Sequence, residues 1–91
     1  MTSSADSEHY HSGEVQDVLT GVLGFSVYLE KGQHIHYVKT EGDRLIASTY
    51  CWEQRNRGIP IGLLRAIANE AACSFSDFVS YLERQREANR P

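Results

Sequence analysis

Residues 25–52 read FSVYLEKGQHIHYVKTEGDRLIASTYCW, and their periodicity decides the fold. Phe25, Val27 and Leu29 alternate with Ser26, Tyr28 and Glu30, the period of two expected of a half-buried strand. Lys31-Gly32 is a short turn, so the next strand, from Gln33 to Thr40, pairs antiparallel with the first. Glu41-Gly42-Asp43 makes a second turn. A third strand, rich in β-branched and aromatic residues, runs from Arg44 to about Trp52. The segment is a three-stranded meander.

On both sides of the meander the period becomes helical. Val15, Val18, Leu19, Val22 and Leu23 form one apolar stripe, with Ser12 or Gly13 placed to cap its start and Gly24 to stop it. After the polar loop EQRNRG over residues 53–58, Pro60 fits the first turn of a second helix. Leu63, Leu64, Ile67, Ala68 and Ala71 are its buried face. Ser74, with Asp77 three residues on, resembles a capping box that opens a third helix burying Phe75, Phe78, Val79 and Leu82. The polar end of that helix, Arg84 to Glu87, is expected to fray. The order α-β-β-β-α-α predicts an α+β, two-layer domain, a three-stranded antiparallel sheet with helices on one face. Residues 1–11 are polar and without periodicity and read as a disordered tail, which leaves 12–91 as the folded domain.

Composition narrows the function classes. No apolar run approaches the ~20 residues that span a bilayer, and the start lacks the basic and apolar regions of a secretory signal, so the expected location is cytoplasmic. Cys51 and Cys73 stand far apart without a CxxC motif and read as reduced thiols. The net charge of −3 argues against a simple nucleic-acid binder. Its distribution is uneven: Lys31, Lys39, Arg44, Arg55, Arg57 and Arg65 outnumber Glu41, Asp43 and Glu53 in the middle of the chain. That region suits an ordinary solvated surface or a phosphate-facing patch.

Nucleophile elbows, P-loops and dinucleotide fingerprints are missing from the sequence. The informative residues are two His-x-His pairs. His9 and His11 fall in the tail and read as idle. His34 and His36 alternate with Ile35 and Tyr37 on a strand, so both histidines leave one face, and that face is the open side if Ile35 and Tyr37 meet the helices. Two imidazoles fall short of the three or four ligands zinc takes, so no metal and no cofactor is expected. An exposed imidazole titrates near neutral pH and accepts or donates protons there. RNA transesterification needs that chemistry, a base for the 2′-hydroxyl and an acid for the leaving 5′-oxygen. A solvent-facing strand residue or a satisfied, partly buried histidine fits the same spacing.

From Glu14 to about Leu82 the sequence resembles the HicA family of toxins from bacterial and archaeal toxin–antitoxin pairs. Three stretches carry the resemblance: EVQDVLTGVLGF (14–25), KGQHIHY (31–37), similar to the family's Gly-Ser-His-His, and IPIGLLRAI (59–67) followed by AACSFSDF (71–78). Gln33 stands where the family has Ser, Ile35 where it has a second His, and Leu63 where Thr is common. The resemblance implies a double-stranded-RNA-binding-like fold, metal-independent mRNA cleavage, and a HicB-type antitoxin protein that covers the active site. It places the catalytic histidine on His34. On that reading Lys31 stabilises charge on the phosphate, and Gln33, His36, Lys39, Arg55, Arg57 and Arg65 contact the RNA. A catalytically silent RNA-binding module and a protein-interaction module on the same fold are the alternatives; cleavage lost on His34→Ala separates the first reading from both.

Overall fold

The computed structural model describes residues 10–90. The elements are β1 (Tyr10–His11), α1 (Ser12–Gly21), β2 (Ser26–Lys31), β3 (His34–Glu41), β4 (Arg44–Trp52), β5 (Gly58–Ile59), α2 (Ile61–Glu70) and α3 (Phe75–Ala88). β2, β3 and β4 form an antiparallel sheet with β3 in the centre. Both hairpins turn on two residues, Gly32-Gln33 between the pair Lys31–His34 and Gly42-Asp43 between Glu41–Arg44. Each opens with a glycine at φ +63°, a conformation that any residue with a Cβ takes only with strain. Two tight turns in succession give the meander expected from the sequence, and the chain is an α+β domain of one three-stranded sheet and three helices.

The core forms where the alternation of β3 and β4 meets the helical stripes. Ile35 and Tyr37 on β3 and Thr49 and Cys51 on β4 turn to one side, where Val15, Val18, Leu19, Leu64, Ile67, Ala68, Phe78 and Leu82 bury against them. α1 and α3 pack on each other, and α2 packs along β4. Ser74 Oγ accepts from Asp77 N at 3.2 Å, so the expected N-cap of α3 is present.

Three expectations are corrected. The folded domain starts at Tyr10 rather than Ser12: Tyr10 and His11 pair with Ile59 and Gly58 in a two-stranded ribbon, and Tyr10 is buried. The other nine residues assigned to the tail, His9 among them, lie outside the described residues. The end of α3 is docked, not frayed: Arg86 forms a fork to Glu14 (Nε to Oε2 2.5 Å, Nη2 to Oε1 3.0 Å), and Gln85 Nε2 donates to the Glu14 carbonyl at 3.1 Å. β2 is not half-buried. Only Phe25, just before it, enters the core, while Val27 and Leu29 are each 49% exposed. β2 is an edge strand, and its register with β3 shifts between Val27 and Leu29, which sets Tyr28 as an extra residue and breaks the alternation.

Candidate functional site

The site is built from cross-strand pairs on the sheet face opposite the core. His34 lies between Lys31 of β2 and Trp52 of β4; His36 lies between Leu29 and Tyr50. Directly opposed residues hold their Cβ atoms roughly 5 Å apart, so the Lys31 ammonium and the His34 imidazole share one patch of surface. His34 is exposed, as the alternation with buried Ile35 and Tyr37 requires. His36 is half-buried because its ring is enclosed by aromatics: it stacks on Tyr50 (centroids 4.2 Å, planes 11° apart) and meets the edge of Tyr28 (5.4 Å, 80°). Its Nε2 is buried with no hydrogen-bond partner among the described residues.

This face borders a cleft of about 710 Å³ that continues past the edge strand β4 to α2 on the core side, where Cys51 also lines it. One wall is the sheet, with Lys31, His34, His36, Tyr50 and Trp52; the other is α2, with Leu63, Ala66, Ile67 and Glu70. Glu70 is fixed by Thr49, whose hydroxyl donates to its Oε1 at 2.7 Å. The walls are largely apolar, and the few polar groups converge from opposite sides, the usual make-up of a small-molecule site.

The loop after β4 positions one end of the cleft. Its backbone is sewn to α1: Ser12 N and Gly13 N donate to the carbonyls of Arg57 and Arg55, each at 2.8 Å. A Cβ on Gly13 would stand 3.1 Å from the Arg55 carbonyl oxygen, so a glycine permits this approach. Gln16 Nε2 donates to the Trp52 carbonyl at 2.6 Å, and its Oε1 accepts from Arg55 Nη1 at 3.0 Å. So held, the loop sets the Arg57 guanidinium over the Trp52 ring, 3.6 Å from its centroid.

Of the residues singled out in the sequence, the fold brings Lys31, His34 and His36 into the cleft and sets Arg57 beside it on Trp52. Gln33 is in the β2–β3 turn, exposed, with its carbonyl accepting from Glu53 N at 2.8 Å. Lys39, Arg55 and Arg65 do not join the site. Lys39 shares the parity of Ile35 and Tyr37, on the opposite face from His34. Arg55 pairs with Asp17 (Nη2 to Oδ2 2.8 Å) and braces α1. Arg65 lies over the Phe75 ring at 4.1 Å, joining α2 to α3. Tyr28, Tyr50, Trp52 and Glu70 were missed. The period of two assigns Tyr50 and Trp52 to one face of β4, but only the β3–β4 register says that this face is the one carrying the histidines.

Electrostatics separate structural groups from available ones. Burial pushes the Cys51 thiol up, and the hydrogen bonds from its surroundings do not offset this, so it is a packing group and not a nucleophile. Burial raises the Tyr37 phenol to about 12. Among the described residues, no group of three His, Cys, Asp or Glu side chains is arranged to hold a metal ion, and no helix is long and apolar enough to cross a membrane. Comparison with family models, with curated proteins and with solved structures finds no match to this chain.

Proposed function

We propose that the chain is a metal-independent endoribonuclease, the toxin of a toxin–antitoxin pair, that cleaves mRNA with His34 as its acid/base. The observation that carries this reading is the exposed His34 imidazole, paired across the strands with Lys31 at one end of the cleft. His34 takes the 2′-hydroxyl proton as the 2′-oxygen attacks phosphorus, the bond from phosphorus to the 5′-oxygen breaks, and the departing 5′-oxygen gains its proton from solvent. Lys31 offsets the charge that grows on the non-bridging oxygens. Arg57 is placed to meet the RNA backbone beside Trp52. The resemblance to HicA toxins rests on the Gly32-Gln33-His34 stretch that forms this end of the cleft, and it extends the proposal to a double-stranded-RNA-binding-like fold and a cytoplasmic protein.

A HicB-type antitoxin fits as the protein partner. The open face and β2 leave Tyr28 68%, Tyr50 53% and Leu29 49% exposed, an apolar surface beside His34 that a protein would cover and so occlude the site. The same surface is the observation that favours the interaction-module reading. Cleavage of a defined RNA by the purified chain, lost in His34→Ala, tests the proposal; a folded His34→Ala that cuts at the wild-type rate overturns it.

A further inference from the structure

We propose that the cleft between β4 and α2 is a nucleobase subsite, with Tyr50 as its stacking surface and the Glu70 carboxylate reading the base edge, and that it selects guanine. This rests on the RNA-cleaving reading above and specifies its substrate.

The two ring faces of Tyr50 are not equivalent. His36, on the β3 side, covers one, with planes 11° apart. The opposite face looks away from β3, past the open edge of β4, and Tyr50 is 53% exposed. Leu63 and Ala66 of α2 line the same cleft. A planar ring entering there meets the aromatic face of Tyr50 and lies in a cleft whose α2 side is aliphatic. Base–aromatic stacking contributes to binding for every base, so Tyr50 supplies affinity without selection.

Selection comes from Glu70. The hydrogen bond from Thr49 uses one lone pair of Oε1, and an ionised carboxylate has about four such sites. No protein donor is assigned to the remaining sites among the described residues, Glu70 lines the cleft, and on a base edge a carboxylate can accept only from N–H groups. Guanine offers two adjacent donors, N1–H and the 2-amino group, in the spacing of a carboxylate. Uracil offers one N–H flanked by two carbonyls, which the carboxylate repels. Thr49 is three residues before Trp52, the partner of His34, so at about 3.3 Å per residue Glu70 is held roughly 10 Å along the strand from the phosphate end. That is too far to share in the proton transfer at His34 and within reach of a base attached to the bound backbone.

The test uses the full chain and single-stranded uridine oligoribonucleotides carrying one central guanosine, inosine or uridine. Wild type is expected to cut the guanosine substrate more efficiently than the all-uridine one by roughly 5- to 150-fold, the range of a good bidentate pair, at a fixed offset from the guanosine. Inosine, which lacks the 2-amino group, should fall between them. Glu70→Gln keeps an oxygen for Thr49 but turns an amide donor to the cleft, so the ratio should drop to one or below. Equal cutting of guanosine and uridine substrates by wild type, or a preference that survives in Glu70→Gln, overturns the subsite while the nuclease stands. Cutting of none of the three by wild type removes the nuclease reading and the subsite with it. If Glu70→Gln does not fold, the guanosine–inosine comparison on wild type decides alone.

Discussion

Ser12 Oγ donates a hydrogen bond to the carbonyl oxygen of Trp52 at 2.6 Å, which joins the first turn of α1 to the last residue of β4. The serine is fully buried, and its single proton is committed to Trp52. It therefore accepts from the Cys51 thiol, 3.0 Å away. Trp52 in turn carries Arg57 on its ring and stands opposite His34. The geometry of the cleft is thus set by a residue that never touches it.

Ser12→Ala should cost about 1–3 kcal/mol, because it leaves the buried Cys51 thiol only the Ser12 carbonyl at 3.9 Å and removes one of two side-chain donors to the Trp52 carbonyl. Urea denaturation measures the loss. The chain has one tryptophan, so a shift of its emission reports the loop directly. Unchanged stability and unchanged emission would show that Gln16 alone holds the loop.

Removing residues 1–9 should leave the thermal midpoint within a few degrees of wild type, whereas removal through His11 should lower it sharply. The difference reports the β1 strand, His11 with its backbone bond to Glu14 and above all Tyr10, which is 6% exposed, hydrogen-bonds Glu83 through its hydroxyl and lies under the Arg86 guanidinium at 4.6 Å. Losing a buried aromatic costs about 3 kcal/mol or more. At roughly 4–8 °C per kcal/mol for a domain of this size, calorimetry resolves it easily. Equal midpoints for the two shortened chains would contradict the packing of Tyr10.

Stability should fall at both ends of the pH scale, and the responsible groups differ. Burial pushes Glu14 up, but the hydrogen bonds from Arg86 and from the His11 backbone outweigh it and hold the carboxyl below its ordinary value. A depressed folded value means a contribution present above the unfolded value, about 4.3, and lost as pH falls through the folded one. Glu14→Gln should flatten that acid-side loss. Burial and the Glu83 carboxylate raise the Tyr10 phenol to about 12. A raised folded value means a contribution fully present below pH 10 and lost as pH rises toward 12, so Tyr10→Phe should flatten the alkaline side, where Tyr37 still titrates. Denaturation midpoints from pH 2 to 12 check both; identical slopes in variant and wild type would remove these groups from the account.

The parts of this fold that were legible are those in which a local rule and the tertiary answer agree. Gly32 and Gly42 announce turns, and buried Ile35 and Tyr37 fix the face of His34 by parity. Tyr10–His11 and Gly58–Ile59 were not legible because two residues carry no periodicity. Val27 and Leu29 misled because a bulge at an edge strand leaves the alternation in the sequence and removes it from the surface. Counting positive charges enrolled Arg55 and Lys39, yet Asp17 takes the first and the parity of β3 turns the second away. Glu70 was out of reach for another reason: its place beside Thr49 depends on where α2 crosses β4, which no local pattern states.

His34→Ala should abolish RNA cleavage and toxicity while leaving the fold intact. The side chain is exposed at the start of β3, so its loss removes little packing. Loss of an acid/base group typically lowers the rate 10²- to 10⁴-fold, enough to relieve growth arrest. His36 shares the face but not the exposure, and truncating it to Ala would open a gap beside Tyr50 and confuse the comparison. The sounder control is His36→Phe, which keeps a ring between Tyr28 and Tyr50, removes the unpartnered Nε2, and has no group able to move a proton. It should retain most of the cleavage rate and gain stability. Rates on a defined RNA, with circular dichroism on each protein, decide the assignment. A folded His34→Ala that cuts at the wild-type rate, or a folded His36→Phe that loses as much activity as His34→Ala, would move the proton transfer away from His34 or share it between the two histidines.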